Sequence, residues 1–225
     1  MDTFFLHRKM LKELGFQIEQ TTKILDWGCG SGAYVESARS QGFDCVGCDF
    51  SAKGPYLSEI EKPYRLPYPD ASFDLVVSSG VLEHCMDYEG SLKELNRVLK
   101  PQGSFLHFFP PKWALFEHHI HVPFAGAIQW KWWLKLWASL GVRNVYQRHM
   151  SAEETAADNH KFLKTGTNYL SRREVSKHFS RYFRIRFCED VFFRNTDSGA
   201  RRLPSFLAPA YRTFQNCMLY GFKEL

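Results

Sequence analysis

The stretch Lys23-Ile24-Leu25-Asp26-Trp27-Gly28-Cys29-Gly30-Ser31-Gly32 constrains this chain more than any other. A short apolar run reaches an acid, three glycines follow at alternate positions, and a helical pattern begins at Ala33. Strand, glycine turn and helix in that order build a loop that faces a phosphate or a nucleotide. Glycine admits positive φ and lets a ligand approach backbone where a Cβ would collide. Three alternate glycines alone are shared with dinucleotide-binding folds. Asp26 narrows the choice, because a carboxylate two residues before the first glycine repels a buried pyrophosphate and attracts a cationic amino-acid group.

A second acid supports the same reading. The next apolar run, Asp44-Cys45-Val46-Gly47-Cys48-Asp49-Phe50, predicts a strand that ends in Asp49, about 20 residues beyond the loop. An acid at that place can accept two hydrogen bonds from ribose hydroxyls, and Phe50 can lie flat on an adenine ring. Periodicity predicts helices over 3–15, 33–41, 88–100 and 129–140, and strands over 23–28, 75–79, 104–109 and 182–188. Between 51 and 66, turn residues suggest a helix near 55–61 and a short third strand near 64–66. Segments 111–128 and 143–180 read as insertions, the second mostly polar and helical with a capping box at Ser171-Arg172-Arg173-Glu174. An apolar helical stretch follows over 201–214.

Strands alternating with helices give an α/β class, and 225 residues without a repeat or linker fit one domain spanning 1–225. No apolar run approaches ~18 residues, and the amphipathic N-terminus lacks a signal-peptide core, so a cytoplasmic protein is expected. The six cysteines form no convincing framework. Cys45 and Cys48 have CxxC spacing, but they lie in a predicted buried strand with no second pair.

Three further blocks carry a family resemblance. They are Leu66-Pro67-Tyr68-Pro69-Asp70 with Ser72-Phe73-Asp74, then Ser78-Ser79-Gly80-Val81-Leu82-Glu83-His84, and then ELNRVLKPQGSFLHFFPP over 94–111. With the glycine loop they resemble the class I S-adenosylmethionine (SAM) methyltransferases, in particular the type 11, UbiE-like small-molecule group. The resemblance implies a Rossmann-like, seven-stranded, mostly parallel sheet flanked by helices, with a final antiparallel strand near 217–223 beside the fifth. It implies SAM as cofactor, held by Asp26, Gly28, Cys29, Gly30, Gly32, Asp49, Phe50, Ser79 and Gly80. The family's adenine-facing acid before the Leu-Pro pair has no clear counterpart among Glu61, Lys62, Tyr64 and Arg65. Gln102 stands where the family turn has glycine.

Methyl transfer needs proximity, a dry pocket and a base where the nucleophile must lose a proton. Candidate bases are His84 after the fourth strand, and His119 and His121, with His118, after the fifth. Ordinary loop or structural roles compete for each of them. Three histidines in four residues beside Glu117 also permit a zinc reading, although no metal is expected. The acceptor is expected to be a small molecule or a sugar- or lipid-linked one, methylated at oxygen, with 111–128 and 143–180 as its lid. Trp130, Trp132, Trp133 and Trp137 suggest either an apolar acceptor pocket or a membrane-facing patch. Ser-Ser-Gly-Val at the fourth strand's end argues against amino methylation of a flipped base, and no basic stripe with interleaved aromatics suggests nucleic acid. An NAD-dependent oxidoreductase and a non-catalytic SAM-fold adaptor are the alternatives.

Overall fold

The computed structural model describes residues 2–62, 64–195, 210 and 216–224. Its strands are β1 (Lys23–Trp27), β2 (Asp44–Asp49), β3 (Leu57–Glu59), β4 (Phe73–Ser79), β5 (Leu99–Phe109), β6 (Phe183–Phe187) and β7 (Cys217–Lys223). They form one sheet in the order β3-β2-β1-β4-β5-β7-β6. β7 runs antiparallel to both β5 and β6, while the other pairings are parallel. This is the expected Rossmann-like architecture with its antiparallel strand beside β5.

Strand side chains alternate between two cores, as the pleat requires. Leu25, Trp27, Val76, Phe105 and Leu219 point to the face covered by α3 (Tyr88–Val98) and α6 (Arg172–Phe179). Ile24, Leu75, Val77, Leu106 and Met218 point to the face covered by α1 (Thr3–Glu13), α2 (Ala33–Ser40) and α7 (Glu189–Asn195). A third, smaller core lies off the sheet. Here α4 (Lys131–Ser139) and α5 (Ala152–Thr165) bury Leu134, Ala156 and Leu163 against Ile120, Val122 and Tyr169. The helix starts follow the sequence signals. Asp2 and Asp87 cap α1 and α3, and Ser151 and Ser171 form capping boxes with Glu154 and Glu174.

Three local expectations change. The third strand is 57–59, with no helix over 55–61, because Tyr56 takes φ +66° and its carbonyl accepts from Gly47, so the chain pairs with β2 instead. Residues 64–66 form no strand, since Pro67 and Pro69 lack N–H donors. That segment is clamped by side chains: Leu66 N–H donates to Glu94 at 2.7 Å, and Arg97 donates to Asp70 and to the carbonyls of Leu66 and Tyr68. β5 starts at Leu99 rather than 104, with a bulge in which Gln102 takes φ +62° in place of glycine. α7 was not expected, and the predicted helical stretch 201–214 falls almost wholly outside the described residues.

Candidate functional site

Strand order reverses between β1 and β4, and ligands in open α/β sheets bind at the carboxyl ends of strands beside such a switch point. A cleft of ≈ 390 Å³ lies there. Trp27, Gly28, Asp49, Phe50 and Ile60 line it on one side; Gly80, Val81, His84 and Met86 line it on another; Thr165 and Gly166 close it from the end of α5. Phe50 is 53% exposed, a large apolar ring left uncovered at the cleft edge.

The glycine loop holds a shape that other residues could not take. Gly28, Gly30 and Gly32 have φ of +79°, +51° and +85°. A Cβ on Gly28 would come within 2.1 Å of Val81, and one on Gly32 within 2.8 Å of Leu57, whereas Gly30 faces open space. The loop amides are engaged inside the protein. Gly28 and Cys29 donate to the Cys48 carbonyl at 2.8 and 3.1 Å, Gly32 to the Cys29 carbonyl at 2.9 Å, and Gly30 to Asp49 Oδ2 at 3.0 Å. With those donors taken, the loop makes a poor phosphate nest. What it offers a ligand is negative: Asp26 is buried, and desolvation together with the nearby Asp49 charge pushes its carboxyl up to about 7. Two acids confined like this are relieved by a cation.

The other wall of the cleft carries His84, and His119 is in contact with it. His84 Nδ1 donates to the Gly166 carbonyl at 2.7 Å. A carbonyl can only accept, so in the neutral ring Nε2 keeps the free lone pair that a base requires. The His119 ring stands edge-on to His84, with centroids 4.9 Å apart. His119 Nδ1 meets Glu117 Oε1 at 2.9 Å. Glu117 also accepts from the backbone of His119 at 2.7 Å and of Ile120 at 2.6 Å, and from the Tyr169 hydroxyl. Burial alone would raise this carboxyl, but the His119, Tyr169 and Ile120 hydrogen bonds outweigh it and hold it below the usual range. That carboxylate in turn raises His119 above its ordinary value. Glu83, also buried, has one oxygen without a hydrogen-bond partner, and desolvation pushes it up to about 7. Two neighbouring carboxyls are thus driven apart, Glu117 ionised and Glu83 tending to keep its proton.

Residues 25–107 match the family model described as a methyltransferase domain. These residues are similar to methyltransferase domains. The demethylmenaquinone methyltransferase of Beutenbergia cavernae is 32% identical over 106 residues, which are 42% of this chain and 44% of that protein. The malonyl-[acyl-carrier protein] O-methyltransferase of Erwinia billingiae is 34% identical over 96 residues, 39% of this chain and 38% of that one. The chain therefore spans less than half the length of these curated relatives. A SAM-dependent methyltransferase structure from Mesorhizobium loti shares the fold with a TM-score of 0.57 at 18% identity, over 97% of this chain and all of that one.

The methyltransferase domain ends within β5, so it covers the glycine loop, both acids and His84 but not the Glu117–His119 pair. Of the residues expected to hold a cofactor, Gly28, Asp49, Phe50 and Gly80 line the cleft, while Asp26 and Gly30 adjoin it through the loop and the Asp49 contact. Cys29 turns its thiol into the core, where a Cβ on Gly47 would lie 2.8 Å from its sulfur. Gly32 packs beneath Leu57, and Ser79 is exposed at the strand end without lining the cleft. Among the expected bases, His84 and His119 come together. His121 is exposed, at φ +59°, and His118 is exposed as well. Among the described residues, no three His, Cys, Asp or Glu side chains are placed to hold a metal ion. Sequence reasoning missed Thr165, Gly166, Tyr169 and Glu83, and noted Glu117 only as a neighbour of histidines. The one available signal was an acid beside a histidine run, which does not reveal a partner 52 residues away.

Proposed function

We propose that the protein is a SAM-dependent methyltransferase acting on a small, oxygen-bearing acceptor of the sugar- or lipid-linked kind. The observation that carries this reading is the cleft itself, with the acids Asp26 and Asp49 on one wall and His84, in ring contact with the Glu117-bound His119, on the other. The residues fit the cofactor. Asp26 and Asp49 favour a cationic amino group, Asp49 can accept from a ribose diol, and Phe50 offers a flat apolar face to an adenine. When bound, SAM supplies an electrophilic methyl group on a sulfonium.

The chain's own part is to orient, to exclude water and to take a proton. Met86, Val81 and Ile60 make the cleft floor apolar, and Thr165–Gly166 closes one end. His119, with Nδ1 held by Glu117, presents Nε2 as the base for an acceptor hydroxyl, and His84 Nε2 is the second candidate. The same features weigh against the alternatives. A dinucleotide pyrophosphate would meet the buried Asp26 carboxyl, with the Gly28, Cys29, Gly30 and Gly32 amides already engaged. A pure adaptor has no use for a buried carboxylate with four donors aimed at its two oxygens. Calorimetry with SAM, S-adenosylhomocysteine and NAD tests the reading. Micromolar binding of the first two and none of NAD is expected; binding of NAD alone overturns it.

A further inference from the structure

Helix α4 carries large apolar side chains on two sides, yet only one of them is covered. Leu134 and Ala138 are buried in the third core, and Trp133 and Trp137 pack partly against it. On the other side Trp132 (58% exposed), Leu136 and Leu140 follow at four-residue intervals, so they form one stripe. Trp130 (61% exposed) stacks on Trp132 with centroids 5.6 Å apart. Leaving these rings in water is unfavourable, and a contiguous patch of this kind marks an interaction surface.

The charge around the stripe indicates what covers it. From His118 to Ala152 the sequence holds no Asp or Glu, but it holds Lys131, Lys135, Arg143 and Arg148. Lys135 is paired with Glu153 of α5. Lys131 and Lys164 have no ion pair among the described residues, and with His160 they flank Trp130 and Trp132 around an open groove of ≈ 570 Å³. Indole rings beside unpaired lysines are the composition of an interfacial helix, whose rings enter the acyl boundary while the cations meet anionic headgroups. A second copy of the chain fits less well, because pairing this face with itself sets like charges together.

We propose that the outer stripe of α4 is a docking surface for an anionic lipid bilayer, with the helix lying in the plane of the interface. The inference is independent of the methyl-transfer reading. It also sets the geometry for that reading, since α4 and α5 share one core and the last residues of α5 wall the cleft.

The test uses the full chain with sucrose-loaded vesicles of phosphatidylcholine alone or with one quarter phosphatidylglycerol. Sedimentation with the anionic vesicles at least about tenfold above the neutral ones is expected, with a blue shift of tryptophan emission. Trp132→Ser with Leu136→Ser should lower that partition at least tenfold, and Lys131→Glu with Lys164→Glu should remove the preference for anionic vesicles. All four side chains are exposed, so circular dichroism and SAM affinity should match the parent. Failure of the parent chain to sediment with either vesicle overturns the proposal. So does unchanged sedimentation of both variants, or a dimer in light scattering that Trp132→Ser with Leu136→Ser abolishes.

Discussion

The two walls of the cleft are built by different means. The wall from β1, β2 and β4 is local: Asp26, Gly28 and Gly30 lie within five residues, and Asp49 is the end of the next strand. The facing wall is assembled across the chain. Glu117 takes a hydrogen bond from Tyr169, and His84 donates to Gly166, contacts spanning 52 and 82 residues. The local wall requires particular backbone angles, so it leaves glycines and acids in the sequence at fixed spacing. The assembled wall requires only that side chains meet, and many sequences can arrange that. The local wall is therefore legible in the sequence residue by residue, and the assembled wall is not.

Three variants probe this contrast, in descending order of effect. Asp49→Ala removes both a ribose acceptor and the anchor for the Gly30 amide, so the Kd for SAM should rise at least about a hundredfold, or ~3 kcal/mol, by calorimetry. Unchanged affinity would place the cofactor elsewhere. Glu117→Gln should leave SAM affinity within about twofold yet lower kcat by roughly tenfold or more. Glu117 holds His119 above its ordinary value, and a base works when deprotonated, so activity rises with pH through that value. Removing the carboxylate charge should move the rise to lower pH. A variant that loses SAM affinity and turnover together would show that the two walls are not separable.

The third variant turns on Asp26. Its carboxyl is raised to about 7, so at pH 6 most of it is protonated and at pH 8 most is ionised. SAM affinity should therefore tighten about tenfold across that range, and Asp26→Asn should flatten the dependence. The effect on stability has the opposite sign. Between about pH 4 and 7 the unfolded chain is ionised at this position while the folded chain keeps the proton, so stability falls as pH rises through that window. Asp26→Asn lacks the loss and should be more stable above pH 7 by on the order of 2 kcal/mol in chemical denaturation. A less stable variant would show that Asp26 serves the fold rather than the ligand.

The same contrast explains what could be read in advance. The glycine loop, the two acids and the Leu-Pro-Tyr-Pro-Asp block carry their structural reasons on their faces. That block is held by Arg97, and Asp74 after it accepts from Lys100 and from the Lys23 amide. The short third strand was misplaced because edge pairing with β2 and a left-handed Tyr56 decide it, and neither leaves a periodic pattern. Cys29 and Ser79 are expected to meet a cofactor through their backbone, whatever direction their side chains take. Their side chains point, respectively, into the core and out to solvent. Of three histidines within four residues, the sequence could not tell that His119 alone turns inward. That follows from the left-handed turn at His121 and from Glu117, which binds the turn's amides.

The position of β7 has a consequence for the order of assembly. β6 reaches the sheet only through β7, and Ser104 of β5 pairs with Phe222, more than a hundred residues later. A chain emerging from the ribosome can therefore complete the glycine loop, both acids and β1 to β5 while the outer edge of β5 still lacks its neighbour. Until residues 217–223 are made, that edge is an open template for pairing with another chain. Closure is then a single non-local event, slow by its loop length. The cofactor half should be formed, and already able to gain stability from its ligand, before the sheet is finished.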